Sequence, residues 1–132
     1  MRHLIPALFA AAAMIAAPAA AKEKLAPEAE LAKLLEGRVA GEPQNCIALA
    51  PSTSSQIIDK TAIVYRIGGT LWVNRPRSGA ASLNDDDILV TKLTGSQLCS
   101  IDSIQLHDRS SNFYRGFVIL DEFVPYRRAK GE

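Results

Sequence analysis

The sequence predicts a mainly β protein: a small barrel or sandwich of about seven short strands, with one short N-terminal helix after a signal peptide. The chain of 132 residues suits one domain. Beyond residue 38, short stretches rich in β-branched and aromatic side chains alternate with turn residues. Gly68-Gly69 separates two such stretches in a way that is typical of a β-hairpin. We therefore expect a signal peptide over 1–21, a lead-in and short helix over 22–37, and a single β domain over 38–132.

The first 21 residues have the layout of a secretory signal peptide. Arg2 and His3 form a short positive start, and an apolar run extends over residues 4–17. Ala19-Ala20-Ala21 is a small-residue end typical of a cleavage site. The alternative is a membrane anchor, but a spanning helix needs about 20 apolar residues, more than this run supplies. We expect a periplasmic or secreted protein with no stable membrane insertion.

The short helix is predicted over residues 27–36. Pro27 suits a first helical turn, and Gly37 can end the helix in a left-handed conformation. Between them, leucines recur at helical spacing and form an apolar stripe, made of Leu31, Leu34 and Leu35.

The β domain is predicted from apolar stretches separated by turn residues. In the hairpin, Ile63, Tyr65 and Ile67 share one strand face, and Leu71 and Val73 share a face of the partner strand. Further along, Gln105 and His107 are expected to face away from Ile104 and Leu106. The predicted strand stretches are residues 46–49, 57–58, 62–67, 70–74, 88–93, 101–106, 114–120 and 123–126.

Cys46 and Cys99 are the two cysteines of the chain, and an even number in an exported protein favours one disulfide. The first alternative is a reactive thiol, which needs a nearby base, and beyond the leader His107 is the single histidine. The second is a zinc site, which needs about four nitrogen or sulfur ligands where only three candidates exist.

Charge and motifs exclude several classes of function. Lys and Arg number 15 against 14 Asp and Glu, so the chain has no strong field that would concentrate nucleic acid, and we expect no nucleic-acid partner. The glycines fit no phosphate-binding loop, and the cysteines do not form a C-x-x-C redox pair. No cofactor is predicted.

Several short patterns occur in a fixed order: N-C-I at 45–47, T-A-I-V-Y-R at 61–66, W-V-N-R at 72–75, S-Q-L-C-S-I-D at 96–102 and F-V-P-Y-R-R at 123–128. In this order they resemble a family of small secreted proteobacterial proteins of unknown function, over about residues 38–128. The family has no established activity, so the resemblance implies only export and a compact fold. Relatives often carry a second cysteine pair, which residues 79–81 and 118–121 lack here. Cys46 with Cys99 would be the pair retained.

The best candidate for a ligand site is a cluster of Trp72, Asn74, Arg75 and Arg77. An indole beside two guanidinium groups can hold a sugar ring, a carboxylate or a phosphate by stacking and paired hydrogen bonds. The alternative is a core tryptophan, which follows if its strand face meets the leucine stripe of the helix.

Two further clusters carry weaker signals. Asn84 and the three aspartates that follow it could bind calcium through oxygen atoms, but they lack the spacing of an EF-hand loop. We predict a solvated turn and no metal site. His107 lies beside Asp108 and near Asp102 and could act as an acid or base, but a surface histidine at the end of a strand is the favoured interpretation. No catalytic residue is predicted.

These observations favour an exported, non-enzymatic binding or interaction module of the cell envelope. Its partner would be an unknown small molecule, a saccharide or an envelope protein. The alternative function is a small hydrolase acting on envelope material, with His107 or a pair of carboxylates as its acid and base.

Overall fold

The computed structural model describes residues 12–16, 24–93 and 95–130. Of the predicted signal peptide, only 12–16 belong to the described residues, and they form neither helix nor strand. The rest of the predicted leader lies outside the described residues. In the part of the chain that the structure describes, no helix is long and apolar enough to cross a membrane.

The fold is mainly β, as predicted, and the described residues form one α-helix and ten strands. A 3₁₀ turn at Ala80–Ser82 joins two of the strands. The number of strands is larger than predicted. Part of the difference comes from two strands of three residues each, in places where the sequence predicted only a linker and a turn. In chain order the elements are α1 (Pro27–Leu34), β1 (Arg38–Ala40), β2 (Cys46–Ala48), β3 (Ser54–Ile58), β4 (Ala62–Ile67), β5 (Thr70–Asn74), β6 (Ile88–Thr91), β7 (Gln97–Cys99), β8 (Ser103–His107), β9 (Tyr114–Ile119) and β10 (Phe123–Arg128).

Helix α1 begins at Pro27 as predicted and ends at Leu34, two residues earlier than expected. The chain then turns through Gly37, whose φ of 75° is the left-handed conformation that favours glycine. The leucine stripe faces the protein: Leu31 is buried, and Leu34 and Leu35 pack beside it. The helix therefore serves as a cover for one sheet face.

Five antiparallel strands form the larger sheet, in the order β1-β10-β5-β4-β3. The predicted hairpin joins β4 to β5 around Gly68-Gly69, with Ile67 opposite Thr70. Both faces of this sheet are covered. The face under α1 is closed by a small core made of Leu31, Ile58, Ala62, Val64, Leu71 and Val73.

Two smaller antiparallel sheets, β6-β8-β9 and β2-β7, complete the fold. A larger core contains residues from all three sheets. Because the five-stranded sheet has free edges at β1 and β3, the sheets do not close into a barrel, and a sandwich is the predicted architecture that remains. The buried residues of this core are Ile47, Ile57, Ile63, Tyr65, Leu83, Leu98, Ile104, Leu106, Val118, Leu120 and Phe123.

The predicted disulfide between Cys46 and Cys99 is confirmed. The two cysteines are directly opposite each other in the β2-β7 pair, and their Cα atoms are 4.0 Å apart. Both sulfur atoms are consumed by the bond, so neither a reactive thiol nor a zinc site is formed by these residues.

Candidate functional site

Trp72 does not lie under the helix. It projects from β5 on the side of Ile63 and Tyr65 and packs, half-buried, against the larger core. The helix covers the opposite face of β5, which carries Leu71 and Val73. The guanidinium of Arg127 lies 5.6 Å from the centre of the indole ring, within the range of a cation–π contact. One ring face of Trp72 is therefore already occupied by the protein's own cation.

Asn74 is fully buried and has a structural partner. Its Nδ2 donates a hydrogen bond of 2.6 Å to the carbonyl of Asp121, and its Oδ1 accepts one of 3.1 Å from the Asp121 N–H. The side chain thus satisfies both backbone groups of a residue just before β10. It has no free face toward solvent on which a ligand could bind.

The two arginines of the predicted cluster point to different parts of the protein. Arg75 donates two hydrogen bonds to the carboxylate of Glu28, at 2.8 and 3.1 Å, and so ties the helix to the sheet. Arg77 donates from Nε to the carbonyl of Leu120 at 2.8 Å and from Nη2 to the carbonyl of Ser100 at 3.2 Å. Asn74 and Arg77 meet at Asp121, whose Oδ1 lies 3.7 Å from Nη2 of Arg77. Trp72 and Arg75 have other partners, so the four residues do not form one site.

These contacts predict unequal costs for removing the two arginines. We expect Arg77→Ala to lower the free energy of unfolding by about 1–2 kcal/mol, because two carbonyls lose a charged donor. Arg75→Ala, the matched control, removes only an exposed ion pair and is expected to cost about 0–1 kcal/mol. Urea unfolding of both variants measures the difference. Equal losses would contradict a structural role for Arg77.

The acidic turn that precedes β6 is only partly solvated. Asp85 forms an ion pair with Lys24, and Asp86 is exposed, with one oxygen 3.6 Å from Nε of Arg109. The prediction of a solvated turn is wrong for Asp87, whose side chain is 2% exposed. It is buried because it points inward from the end of the turn, where Nη1 of Arg115 lies 3.3 Å from Oδ1. Within the described ranges, no three His, Cys, Asp or Glu side chains are grouped closely enough to hold a metal ion.

The residues suggested for acid–base chemistry all serve local structure. His107 has its Nδ1 3.1 Å from the carbonyl of Asn112 and its Nε2 3.2 Å from Oε1 of Gln105. Asp102 accepts the N–H of Cys99 at 2.7 Å. Hydrogen bonds from the Ser110 hydroxyl, and then from the N–H and hydroxyl of Ser111, hold the pKa of Asp108 well below its usual value.

A surface that the sequence did not predict lies on the outer side of the β6-β8-β9 sheet, and we call it the aromatic face. As predicted, Ile104 and Leu106 of β8 point into the core, so Gln105 and His107 point outward. The register places Phe117 opposite Gln105 and Tyr114 opposite His107, on the same outward side. We define the aromatic face as Val90, Ile101, Gln105, His107, Tyr114 and Phe117.

The aromatic face exposes large apolar side chains to solvent. Phe117 is 51% exposed, Tyr114 55% and Ile101 79%. The Tyr114 and His107 rings are in edge-to-face contact, with their centroids 6.0 Å apart. Next to them, Val90, Gln105 and Ile101 line a shallow depression of about 210 Å³. Strict alternation along β9 would put Tyr114 and Phe117 on opposite faces, so no sequence signal revealed this surface. A register shift at Leu106 and His107 of β8 brings the two rings to the same side.

The backbone of β9 is fixed from the side by the 3₁₀ turn. Gly79 has a φ of 82°, and a Cβ atom there would lie 2.6 Å from the carbonyl oxygen of Phe117. A side chain at position 79 would therefore push β9 away. Further support comes from the N–H of Arg77, which donates to the carbonyl of Ile119 at 3.0 Å. The aromatic side chains are thus carried by a well-anchored strand.

Comparison of the chain with protein-family models, curated proteins and solved structures finds no match. The resemblance to small secreted proteobacterial proteins stays a prediction.

Proposed function

We propose that this chain is an exported, non-enzymatic binding module of the cell envelope, and that the aromatic face is its contact surface for another protein. The observation that carries the proposal is the exposure of Tyr114 and Phe117 together on one sheet face. When large apolar side chains form a contiguous exposed patch, the patch often marks an interaction site. Aromatic residues are also enriched at the centres of protein interfaces.

The shape of the aromatic face favours a protein over a small molecule. Ligand sites for small molecules are concave and bury most of the ligand. The depression beside Ile101, of about 210 Å³, is smaller than the pockets of roughly 300–1,000 Å³ that usually hold small molecules. A flat apolar centre with polar neighbours, here Lys92, Asp102 and Ser103, matches the core and rim of a protein interface.

The contacts of His107 favour binding over hydrolysis. A general base needs a ring nitrogen that can reach a substrate or a nucleophile. Both ring nitrogens of His107 lie within hydrogen-bond distance of an oxygen of the protein itself. Asp102 and Asp108 accept hydrogen bonds that shape their own turns.

Export is supported by two independent features. The layout of residues 1–21 is that of a signal peptide. The disulfide between Cys46 and Cys99 is of the kind that persists in oxidising compartments such as the periplasm. The resemblance to small secreted proteins implies the same destination.

Photo-crosslinking in intact cells tests the contact surface. The amino acid p-benzoylphenylalanine is placed at position 117, and exported protein is irradiated and separated by size. We expect a discrete adduct of higher mass. Tyr114→Ser in the same chain should reduce the yield of this adduct several-fold. The substitution removes the second exposed aromatic side chain of β9 and leaves the buried face of the strand unchanged.

Val39 supplies the matched control. It is an exposed apolar residue, 60% accessible, on the edge strand β1 of the other sheet. The photo-reactive group at position 39 should give no discrete adduct. The proposed surface would be disproved by an adduct yield at position 39 equal to that at position 117. It would also be disproved by the absence of an adduct at position 117. Selective shifts of the Phe117 and Tyr114 signals by envelope saccharides, with no protein adduct, would replace the protein partner with a glycan.

A further inference from the structure

A second cleft lies between the five-stranded sheet and the β6-β8-β9 sheet. One wall is formed by Ser55, Gln56 and Ile57 of β3, and the other by residues 85–89 of the acidic turn and β6. Strand β3 is an edge of the five-stranded sheet, and β6 is an edge of the three-stranded sheet. The cleft, of about 320 Å³, therefore separates two strand edges that have no further strand beside them.

Asp87 is the unusual residue of this cleft. Its side chain is 2% exposed, and Oδ1 accepts a hydrogen bond of 3.3 Å from Nη1 of Arg115. Its other oxygen, Oδ2, is buried and has no hydrogen-bond partner in the described structure. An ionised carboxylate can accept about four hydrogen bonds, and burying one without enough donors is costly. The described residues therefore leave Oδ2 of Asp87 without a hydrogen-bond donor.

The surroundings of Asp87 indicate which donor fits. Ile57, Ile88 and Leu89 give the cleft apolar walls, which suit a hydrocarbon stem. At the rim, the carboxylate of Asp85 already accepts the ammonium of Lys24, so this part of the cleft is complementary to a primary amine. The described residues offer no third acidic, histidine or cysteine ligand for a metal ion.

The remaining charge of the cleft lies on Arg109. Its Nε donates to the carbonyl of Asp86 at 3.1 Å and lies 3.6 Å from the Asp86 carboxylate. The guanidinium is thereby held at the exposed rim by the acidic turn. Asp87, paired with Arg115 through Oδ1 alone, is the buried carboxylate of the cleft.

We propose that this cleft binds an aliphatic primary amine, with its ammonium group donating to Asp87 and its hydrocarbon stem against Ile57, Ile88 and Leu89. The same chemistry is carried by a free alkylamine and by the lysine side chain of a partner. No residue of the aromatic face lines this cleft, so the proposal does not depend on the proposed protein-binding surface.

Titration of the purified protein followed by ¹H–¹⁵N NMR tests the proposal. The probe is n-butylammonium chloride at constant ionic strength, and n-butanol is the neutral molecule of similar shape. We expect saturable shifts at Gln56, Ile57 and Leu89 with the ammonium ion, and binding weaker by about tenfold or more with the alcohol. Equal response to both probes would disprove the role of charge.

Substitutions then test the residue. Asp87→Asn keeps the shape of the side chain and should weaken butylammonium binding by about tenfold or more. Asp86→Asn makes the same change in net charge at the exposed neighbour and should leave the affinity within about twofold, because a solvent-exposed charge is strongly screened. An unchanged affinity in Asp87→Asn, or an equal loss in Asp86→Asn, overturns the proposal.

A second variant leaves Asp87 in place. Ser55 is an exposed residue of the β3 wall, and Ser55→Lys brings an ammonium of the protein's own into the cleft. This variant should lose butylammonium binding through competition, and retained binding would overturn the proposal even if Asp87→Asn does not fold. The source of the amine is distinguished by Nα-acetyl-lysinamide: tighter binding than butylammonium assigns the cleft to a lysine side chain, and weaker binding assigns it to a free amine.

Discussion

Reduction of the disulfide between Cys46 and Cys99 is expected to lower the melting temperature by about 15–30 °C. The bond links residues separated by 53 positions, so it removes many conformations from the unfolded chain. On the chain-entropy model a loop of this length contributes about 4 kcal/mol to stability. In a domain of this size, each kcal/mol changes the melting temperature by about 4–8 °C.

The measurement is thermal unfolding followed by circular dichroism, with and without a reducing agent. A Cys46→Ala/Cys99→Ala double variant should melt near the temperature of the reduced protein. It should also be unaffected by the reducing agent, which controls for effects of the reagent itself. Hydrogen bonds beside the cysteines, from Leu49 N–H to Ser96 and from Ser100 N–H to Asn45, still link the two strands in the variant. A shift of less than about 5 °C would show that the β2-β7 pair is held mainly by packing.

Replacement of Asn74 by alanine is expected to lower the free energy of unfolding by about 3 kcal/mol. The side chain is fully buried and bonds to both the N–H and the carbonyl of Asp121. Its removal leaves two backbone groups without partners, and each buried unsatisfied group costs about 1–3 kcal/mol. The melting temperature should fall by about 12–24 °C.

Arg75→Ala is the matched control for this prediction, because it alters the next residue of the chain, which is exposed. Denaturant titration of both variants gives the two free energies of unfolding. A loss of less than about 1 kcal/mol in Asn74→Ala would show that water replaces the amide at Asp121. A loss in Arg75→Ala as large as that in Asn74→Ala would instead attribute the effect to a general weakening of the end of β5.

The candidate sites were predicted less well than the fold, and Asn74 shows why. A polar side chain at the end of a strand beside two arginines has the composition of a binding site. The same polar side chain can also supply hydrogen bonds to a turn whose backbone N–H and carbonyl groups are not paired with a strand. Only the position of Asp121, 47 residues away, distinguishes the two. Asp87 presents the same problem, since its burial depends on a guanidinium from a distant strand.

The sequence by itself determined the elements whose causes are local. The stretches Ala62–Ile67 and Thr70–Asn74 are rich in β-branched and aromatic residues, and the two glycines between them specify a hairpin. Pro27 starts the helix through its fixed φ, and Gly37 supplies the left-handed residue of the turn that follows the helix.

Tertiary structure alone decided which surfaces meet. Both faces of β5 are apolar enough to be buried, so the sequence pattern could not show that α1 covers Leu71 and Val73 while Trp72 joins the larger core. Phe117 has the same apolar character as a core residue, yet it lies outward because the register with β8 puts it opposite Gln105. The hydrophobic effect has no preferred direction, so an apolar side chain can be buried against any apolar surface. Which surface it meets is determined by the pairing of strands that are distant in sequence.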